Sequence, residues 1–260
     1  MEVNTEVLVA ELRATIASNE KVAPFNDVFD DPYLLGFLRG KKFNIDETMS
    51  FLEHYIEMRT VKYKKIIGPF RPFTTIMVDK GWANMLKNRD PLGRYVWVLS
   101  FSSWNPLEAS VYDALAANMF FTDEGIRSYY SNFNEICIIF DCKGFCFEHV
   151  NTARPKLLLL AVELFFKCLP CRPKSIHAVN ENSMVSTLYA LLKPLLDKNI
   201  QQRYHFHSNR LEELHRHFPP AMLPESLGGE LAWEDAFEND LIPRVKGNDD
   251  FYEKMANVSR

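Results

Sequence analysis

The chain has 260 residues, enough for one large domain, or one domain with a helical annex, to bury a substantial core. A hydrophobic share of 47% with 13% aromatics excludes disorder. Thirty basic against 34 acidic residues give a net charge of −4, which excludes a global attraction to nucleic acid and leaves only local basic patches, such as one facing a membrane.

In chain order, Met1-Glu2-Val3-Asn4-Thr5-Glu6 has neither a charged n-region nor an apolar h-region, so no secretory signal is expected and the chain reads as soluble and cytoplasmic. From Val7 to Tyr63 the pattern is helical. Asp30-Asp31-Pro32 is a helix start, with an acidic cap and proline in the first turn, and Tyr33, Leu34, Phe37 and Leu38 then recur at helical spacing. Lys41-Lys42-Phe43-Asn44 breaks that helix. Asp46 opens another, carrying Met49, Leu52 and Ile56 towards Tyr63, and a linker with Pro69 and Pro72 ends this bundle.

From about Ile76 strands and helices alternate. The turn Asp90-Pro91-Leu92-Gly93-Arg94 feeds a strand over Tyr95–Ser100. Asn105-Pro106 predicts the start of a helix through Leu107, Val111, Leu115 and Asn118. Asn134 to Asp141 predicts a buried strand closed by the Lys143-Gly144 turn. Pro155 to Leu169 predicts a helix whose charges, Lys156, Glu163 and Lys167, fall on one narrow stripe. A helix so apolar needs core, or a bound lipid, on nearly every side. Its Leu157–Phe166 run is about half a membrane span and is broken by Glu163. Ser175–Val179 predicts a third strand, Ser183–Leu196 a helix and Tyr204–His207 a fourth strand. The fold class is therefore α/β: a mostly parallel sheet with flanking helices, behind an N-terminal helical region.

Five cysteines, an odd number without a secretory signal, predict reduced thiols. Cys168-Leu169-Pro170-Cys171 has CxxC spacing, but it closes a helix rather than opening one and has no second ligand pair for zinc. His205, His207, His215 and His217 read as ordinary polar histidines, and no metal is expected. Gly-x-Ser-x-Gly, a Walker lysine loop, a dinucleotide turn and His-Glu-x-x-His are all missing, so the chain is not expected to be an enzyme.

Five ordered segments resemble one family, the CRAL-TRIO lipid-binding proteins. They are Asp31 to Phe43, Asp90 to Arg94 with its strand, Ile139 to Phe145, Ile176 to Asn180, and Leu223 to Glu230. The resemblance covers roughly Asp30 to Trp233 and, within the family, points to the branch of the alpha-tocopherol transfer protein and cellular retinaldehyde-binding protein. It implies an N-terminal helical region over 1–75, a lipid-binding domain over 76–232 and a C-terminal tail over 233–260.

The resemblance also implies an intracellular carrier that encloses one hydrophobic lipid (a tocopherol, retinoid, carotenoid or similar isoprenoid), with no other cofactor, and exchanges it at membranes. Carried over by position, the cavity floor is Ile136, Ile138 and Phe140, with Ile176 from the third strand. The walls are Leu115, Asn118, Thr122, Phe145, Ala161, Leu164, Phe165 and Leu169. The gate is the Ser183–Leu196 helix, with Met184, Leu188, Leu191, Leu192 and Leu195 facing inward. Asn118 and Thr122 are suited to a lipid hydroxyl or carbonyl. For phosphoinositide contact, Arg172 and Lys174 match the branch, and Lys193, Lys198 and Arg203 lie close by, whereas Ser50 and Asn199 stand where the branch has basic residues. The competing reading is a lipid-regulated scaffold that keeps the fold without bulk transfer.

Overall fold

The computed structural model describes residues 4–128, 135–152, 154–168 and 170–258. Helix α1 (Thr5–Ala17) buries Val9, Leu12 and Ile16. Helix α2 (Asp31–Gly40) is capped by Asp30, whose carboxylate accepts from the Tyr33 amide at 3.0 Å. It ends where Lys42 and Phe43 take left-handed backbone, letting the Phe43 amide reach back to the Leu38 carbonyl at 2.7 Å. Helix α3 (Ile45–Glu57) starts one residue before the expected Asp46, because Asn44 supplies the cap. A π-helical turn over Met58–Lys62 leads into the short α4 (Lys64–Ile67) and, past the proline linker, α5 (Ile76–Asp79).

One five-stranded sheet follows, in the order β1 (Ala83–Met85), β2 (Tyr95–Ser100), β3 (Glu135–Asp141), β4 (Arg172–Val179) and β5 (Tyr204–Phe206). The β1–β2 pair is antiparallel and the other three pairs are parallel, with Trp97 opposite Ile138 and Ile138 opposite Ile176. Strand alternation divides the core. Trp97, Ile136, Ile138 and Ile176 belong to the large cluster on one face, while Val96, Val98, Cys137 and Ile139 belong to a smaller one on the other. The turn before β2 is fixed by Asp90, whose carboxylate accepts from the Arg94 amide at 2.7 Å and its guanidinium at 2.6 Å.

On the large-cluster face lie α6 (Val111–Ser128), α7 (Phe147–Asn151), α8 (Pro155–Val162) and α9 (Ser183–Leu192). Helix α6 corrects the sequence reading. Asn105 only closes a turn on the Leu107 amide, and the helix starts six residues after it, where Ser110 and Asp113 bond each other's backbone amides. Residue 36 of α2 packs against α6 so closely that a Cβ there would lie 2.3 Å from Ile126 Cγ2, which is why glycine stands at that position. Short helices α10 (Lys198–Gln201) and α11 (Leu211–His215) flank β5.

Residues 233–258 are not a free tail. Helices α12 (Trp233–Ala236), α13 (Leu241–Gly247) and α14 (Asp249–Val258) fold back and bury Leu241, Val245, Phe251, Tyr252 and Met255 in the main core. Among the described residues, no helix is long and apolar enough to cross a membrane.

Candidate functional site: an apolar cavity under a thinly anchored helix

An apolar cavity of about 170 Å³ lies between the sheet and helices α6, α8 and α9. Ile138 and Phe140 of β3 form its floor, and Val111, Ala114 and Leu115 of α6 form one wall. Leu157, Leu158, Ala161 and Val162 of α8, with Phe165 and Phe166 beyond it, form the other. Trp82, Phe101, Trp104, Phe145 and His149 close one end as an edge-on aromatic group, with Phe101 and Phe145 centroids 4.9 Å apart and Trp104 and His149 also 4.9 Å apart. His149 is held in place. Its Nδ1 accepts from the Cys146 amide at 3.1 Å, its Nε2 sits 3.0 Å from the Trp104 carbonyl, and burial lowers its pKa, so the imidazole is neutral.

Helix α9 covers the cavity, yet no residue of it is fully buried. Met184, Val185 and Leu188 rest half-buried against Cys142, Phe145 and Ala178. Tyr189 meets Tyr204 and Phe206 of β5, each at 4.8 Å, and Leu188 and Leu192 reach the cavity itself. At its end Pro194 converts the chain to a 3₁₀ turn over Lys193–Leu195.

The structure thus brings together Leu115, Ile138, Phe140, Phe145, Ala161, Phe165, Leu188 and Leu192. It leaves out other expected residues. Ile136, Leu164 and Ile176 are buried in core away from the cavity. Asn118 and Thr122 lie on the Leu115 side of α6, one and two turns further along and buried, where the Thr122 hydroxyl donates to the Asn118 carbonyl at 2.8 Å instead of facing a ligand. Met184, at the other end of α9 from Pro194, packs half-buried on the Cys142, Phe145 and Ala178 cluster rather than over the cavity. Leu191 is 52% exposed: it stands about 100° around the helix from Leu192 and falls off the inward stripe that Leu188 and Leu192 share. Leu195 packs half-buried on the main core, and Leu169 lies outside the described residues.

The CRAL/TRIO domain model matches residues 79–229, more than half of the chain. The chain belongs to the CRAL/TRIO family. Clavesin-1 of Xenopus laevis is 30% identical over 205 residues, 78% of this chain and 61% of its own length. Clavesin-2 of Homo sapiens is 29% identical over 204 residues, 78% of this chain and 62% of its own length. The chain thus spans about three-fifths of the curated relatives it matches. The crystal structure of Sfh5 superposes with a TM-score of 0.56 at 12% identity, covering 93% of this chain and 94% of that one, which shows a shared fold.

The basic residues of this CRAL/TRIO chain do not form a bare positive cleft. Glu135, at the start of β3, sits 2.9 Å from Lys174 Nζ and 3.6 Å from Arg172 Nη2, and the Lys174 hydrogen bond lowers its pKa. Arg203 donates through Nη1 to the Pro173 carbonyl at 2.6 Å, which places it beside the pair. Lys193 and Lys198 are exposed at the far end of α9. Sequence reading missed two features here: Glu135, and Lys41, close enough to Arg172 for the two charges to repel.

On the opposite face of the CRAL/TRIO sheet, four histidines meet. His177 stacks with His205 at 4.9 Å and His207 at 5.1 Å, meets His217 at a tilt at 4.7 Å, and its Nδ1 is 2.9 Å from His207 Nε2. His217, two residues past the end of α11, joins this cluster, whereas His215 Nε2 sits 3.1 Å from the Leu227 carbonyl. Among the described residues, no three His, Cys, Asp or Glu side chains are arranged to hold a metal ion. Burial, then the neighbouring His217, His205, His207 and Arg94, push His177 down to about 2, and burial lowers His207 and His217 as well. Glu181 and Glu213 near His207 pull the other way. Below about pH 6.5 the unfolded chain binds a proton that folded His177 refuses, so stability falls with falling pH by about 1.4 kcal/mol per unit for this group alone. Urea unfolding at pH 7, 6 and 5 is expected to show that loss, and His177→Leu is expected to flatten it. A pH-independent midpoint would contradict the assignment.

The five thiols are all free, and four are buried. Burial raises Cys168 to about 12, so it holds its proton rather than acting as a thiolate.

Proposed function

We propose that this chain is a carrier that encloses one hydrophobic lipid between its sheet and α9, leaves it chemically unchanged, and exchanges it at membranes. The observation that supports this most is an apolar cavity covered by an apolar helix that buries none of its own residues completely. A helix of pure core would be held by full burial, whereas this one has a small hold to break. At about 170 Å³ the cavity is smaller than the roughly 300 Å³ at which ligand sites usually begin. Loading therefore moves α9 outward, with the Pro194 turn as the hinge. Each methylene taken from water contributes about 0.8 kcal/mol, so an isoprenoid or acyl chain binds without charged contacts. Trp82, in the wall, has a buried indole N–H without a partner among the described residues. A carbonyl or hydroxyl oxygen on the lipid would supply one.

Opening exposes Leu188 and Leu192, which then have a membrane to enter. Release of a bound lipid is expected to accelerate with vesicle concentration. Release rates indifferent to vesicles would contradict the gating scheme.

Arg172 and Lys174, with Lys193, Lys198 and Arg203 nearby, form the surface we assign to anionic lipid, including phosphoinositide. Glu135 offsets one of the charges, so the attraction is modest. Each basic residue near such a surface contributes about 1 kcal/mol. In vesicle co-sedimentation, Arg172→Glu/Lys174→Glu is expected to weaken attachment by about tenfold or more, with uptake of the hydrophobic lipid unchanged. Glu135→Gln is expected to strengthen attachment. Unchanged sedimentation in both variants would remove this role.

The small volume of the cavity also favours a second reading, a scaffold that senses lipid without carrying it in bulk. Vesicle-to-vesicle transfer distinguishes the two: a carrier accelerates it and a scaffold does not.

A further inference from the structure

A larger cavity, of about 520 Å³, lies further along α6, where the π-turn after α3, helix α4, the proline linker and α14 converge. It shares no lining residue with the cavity under α9. Its volume falls inside the roughly 300–1,000 Å³ range of ligand sites. Ile67, Met119, Phe120 and Met255, all buried, make an apolar interior, and half-buried Ala256 sits at the lip.

The charges that the described residues place at this cavity are one-sided. Among them, Arg59, Lys64, Lys65 and Arg71 line it, and no acidic residue does. Buried Arg59 is at the floor and is neutralised by Asp123 at 2.6 Å, so an anion placed deep would face that carboxylate. Lys64 and Lys65 are exposed and therefore lie at the mouth. Arg71 is oriented by the carbonyls of Gly68 and Phe70, at 2.7 and 2.8 Å, which fix its guanidinium without cancelling its charge. An apolar pocket with a cationic mouth suits a molecule with an apolar tail and a negative end.

We propose that this cavity is a second binding site, for a single-chain amphiphile with an anionic head. The tail lies against Met119, Phe120 and Met255, and the head sits between Lys64, Lys65 and Arg71. The site is independent of the cavity under α9 and of the carrier reading.

The test is titration of the full chain with oleate, with oleyl alcohol as the uncharged arm of the same chain length. Saturable oleate binding is expected. It weakens about tenfold in Lys64→Glu/Lys65→Glu, two exposed positions, while oleyl alcohol changes far less. Ala256→Trp, which fills the lip, is expected to abolish oleate binding, and Ala161→Trp, which fills the other cavity, to leave it intact. Absence of saturable binding, indifference to the lysine reversal, or loss only in Ala161→Trp would each overturn the proposal. The last result would assign the oleate to the cavity under α9.

Discussion

Phe140→Asp is expected to abolish saturable uptake of a hydrophobic lipid. Phe140 is the floor of the cavity under α9, in register with Leu99 and Ala178 on the neighbouring strands, and its ring is 6.5 Å from Phe101. A carboxylate there costs several kcal/mol of desolvation, whether a lipid is bound or the group takes up a proton and remains an unpaired polar group. At about 1.4 kcal/mol per decade, affinity falls by at least two to three decades. Phe165→Asp, in the opposite wall, is expected to do the same. Leu191→Asp is the control: its side chain is already mostly exposed, so uptake is expected to persist. Fluorescence titration with a panel of tocopherol, retinoid and phospholipid checks all three. Equal loss in Leu191→Asp would mean that the cavity is not where the ligand sits.

Asp123→Ala is expected to destabilise the fold by about 3–5 kcal/mol, because it leaves a buried guanidinium without its counter-ion. Asp123 is the centre of a network that joins three distant stretches of chain. Arg59 Nη2 donates to Oδ2 at 2.6 Å, the Tyr252 hydroxyl donates to the same oxygen at 2.9 Å, and the Tyr33 hydroxyl donates to Oδ1 at 2.9 Å. The Tyr55 hydroxyl lies 2.6 Å from that of Tyr33, and the Arg59 guanidinium stacks over the Tyr55 ring at 4.6 Å. Asp123 holds the Arg59 guanidinium firmly protonated, and burial beside the carboxylate drives the Tyr33 and Tyr252 hydroxyls well above their ordinary pKa. Removing one neutral partner, as in Tyr252→Phe, costs only about 1 kcal/mol. Urea unfolding at pH 7 measures both. If Asp123→Ala and Tyr252→Phe cost the same, the Arg59–Asp123 pair is not what holds the network together.

That network shows where sequence reading stops. Asp123 reads as one more polar residue on a helix, and nothing local says that its partners lie in α2, α3 and α14. The same holds for residues 233–260, which look like a tail because α13 and α14 are short, although Tyr252 and Met255 are anchored in the core. Strands β2 and β3 were legible as apolar runs bounded by turn residues, and β4 only in its second half, Ser175–Val179, because its polar start at Arg172 gives no strand signal. Strand β1, Ala83-Asn84-Met85, has no β-branched or aromatic residue to announce it and is made by its pairing with β2. The cavity was legible in part. Strand alternation placed Ile138 and Phe140 on one face, and helical spacing placed Leu188 and Leu192 inward. Neither periodicity says where along its axis a stripe meets empty space, which is why Asn118, Thr122 and Ile176 share the right faces and miss the cavity. Trp82, Phe101, Trp104 and His149 reach it from a connection and a short helix, through contacts that carry no period.

The most direct measurement of the central claim is organic extraction of the freshly purified chain, followed by mass spectrometry of the extract, beside the same preparation of Phe140→Asp. The account predicts one hydrophobic lipid recovered from the native chain in near-stoichiometric amount and lost from the variant. A native chain that yields no lipid and takes up none from the panel would contradict it. So would equal recovery from the two proteins.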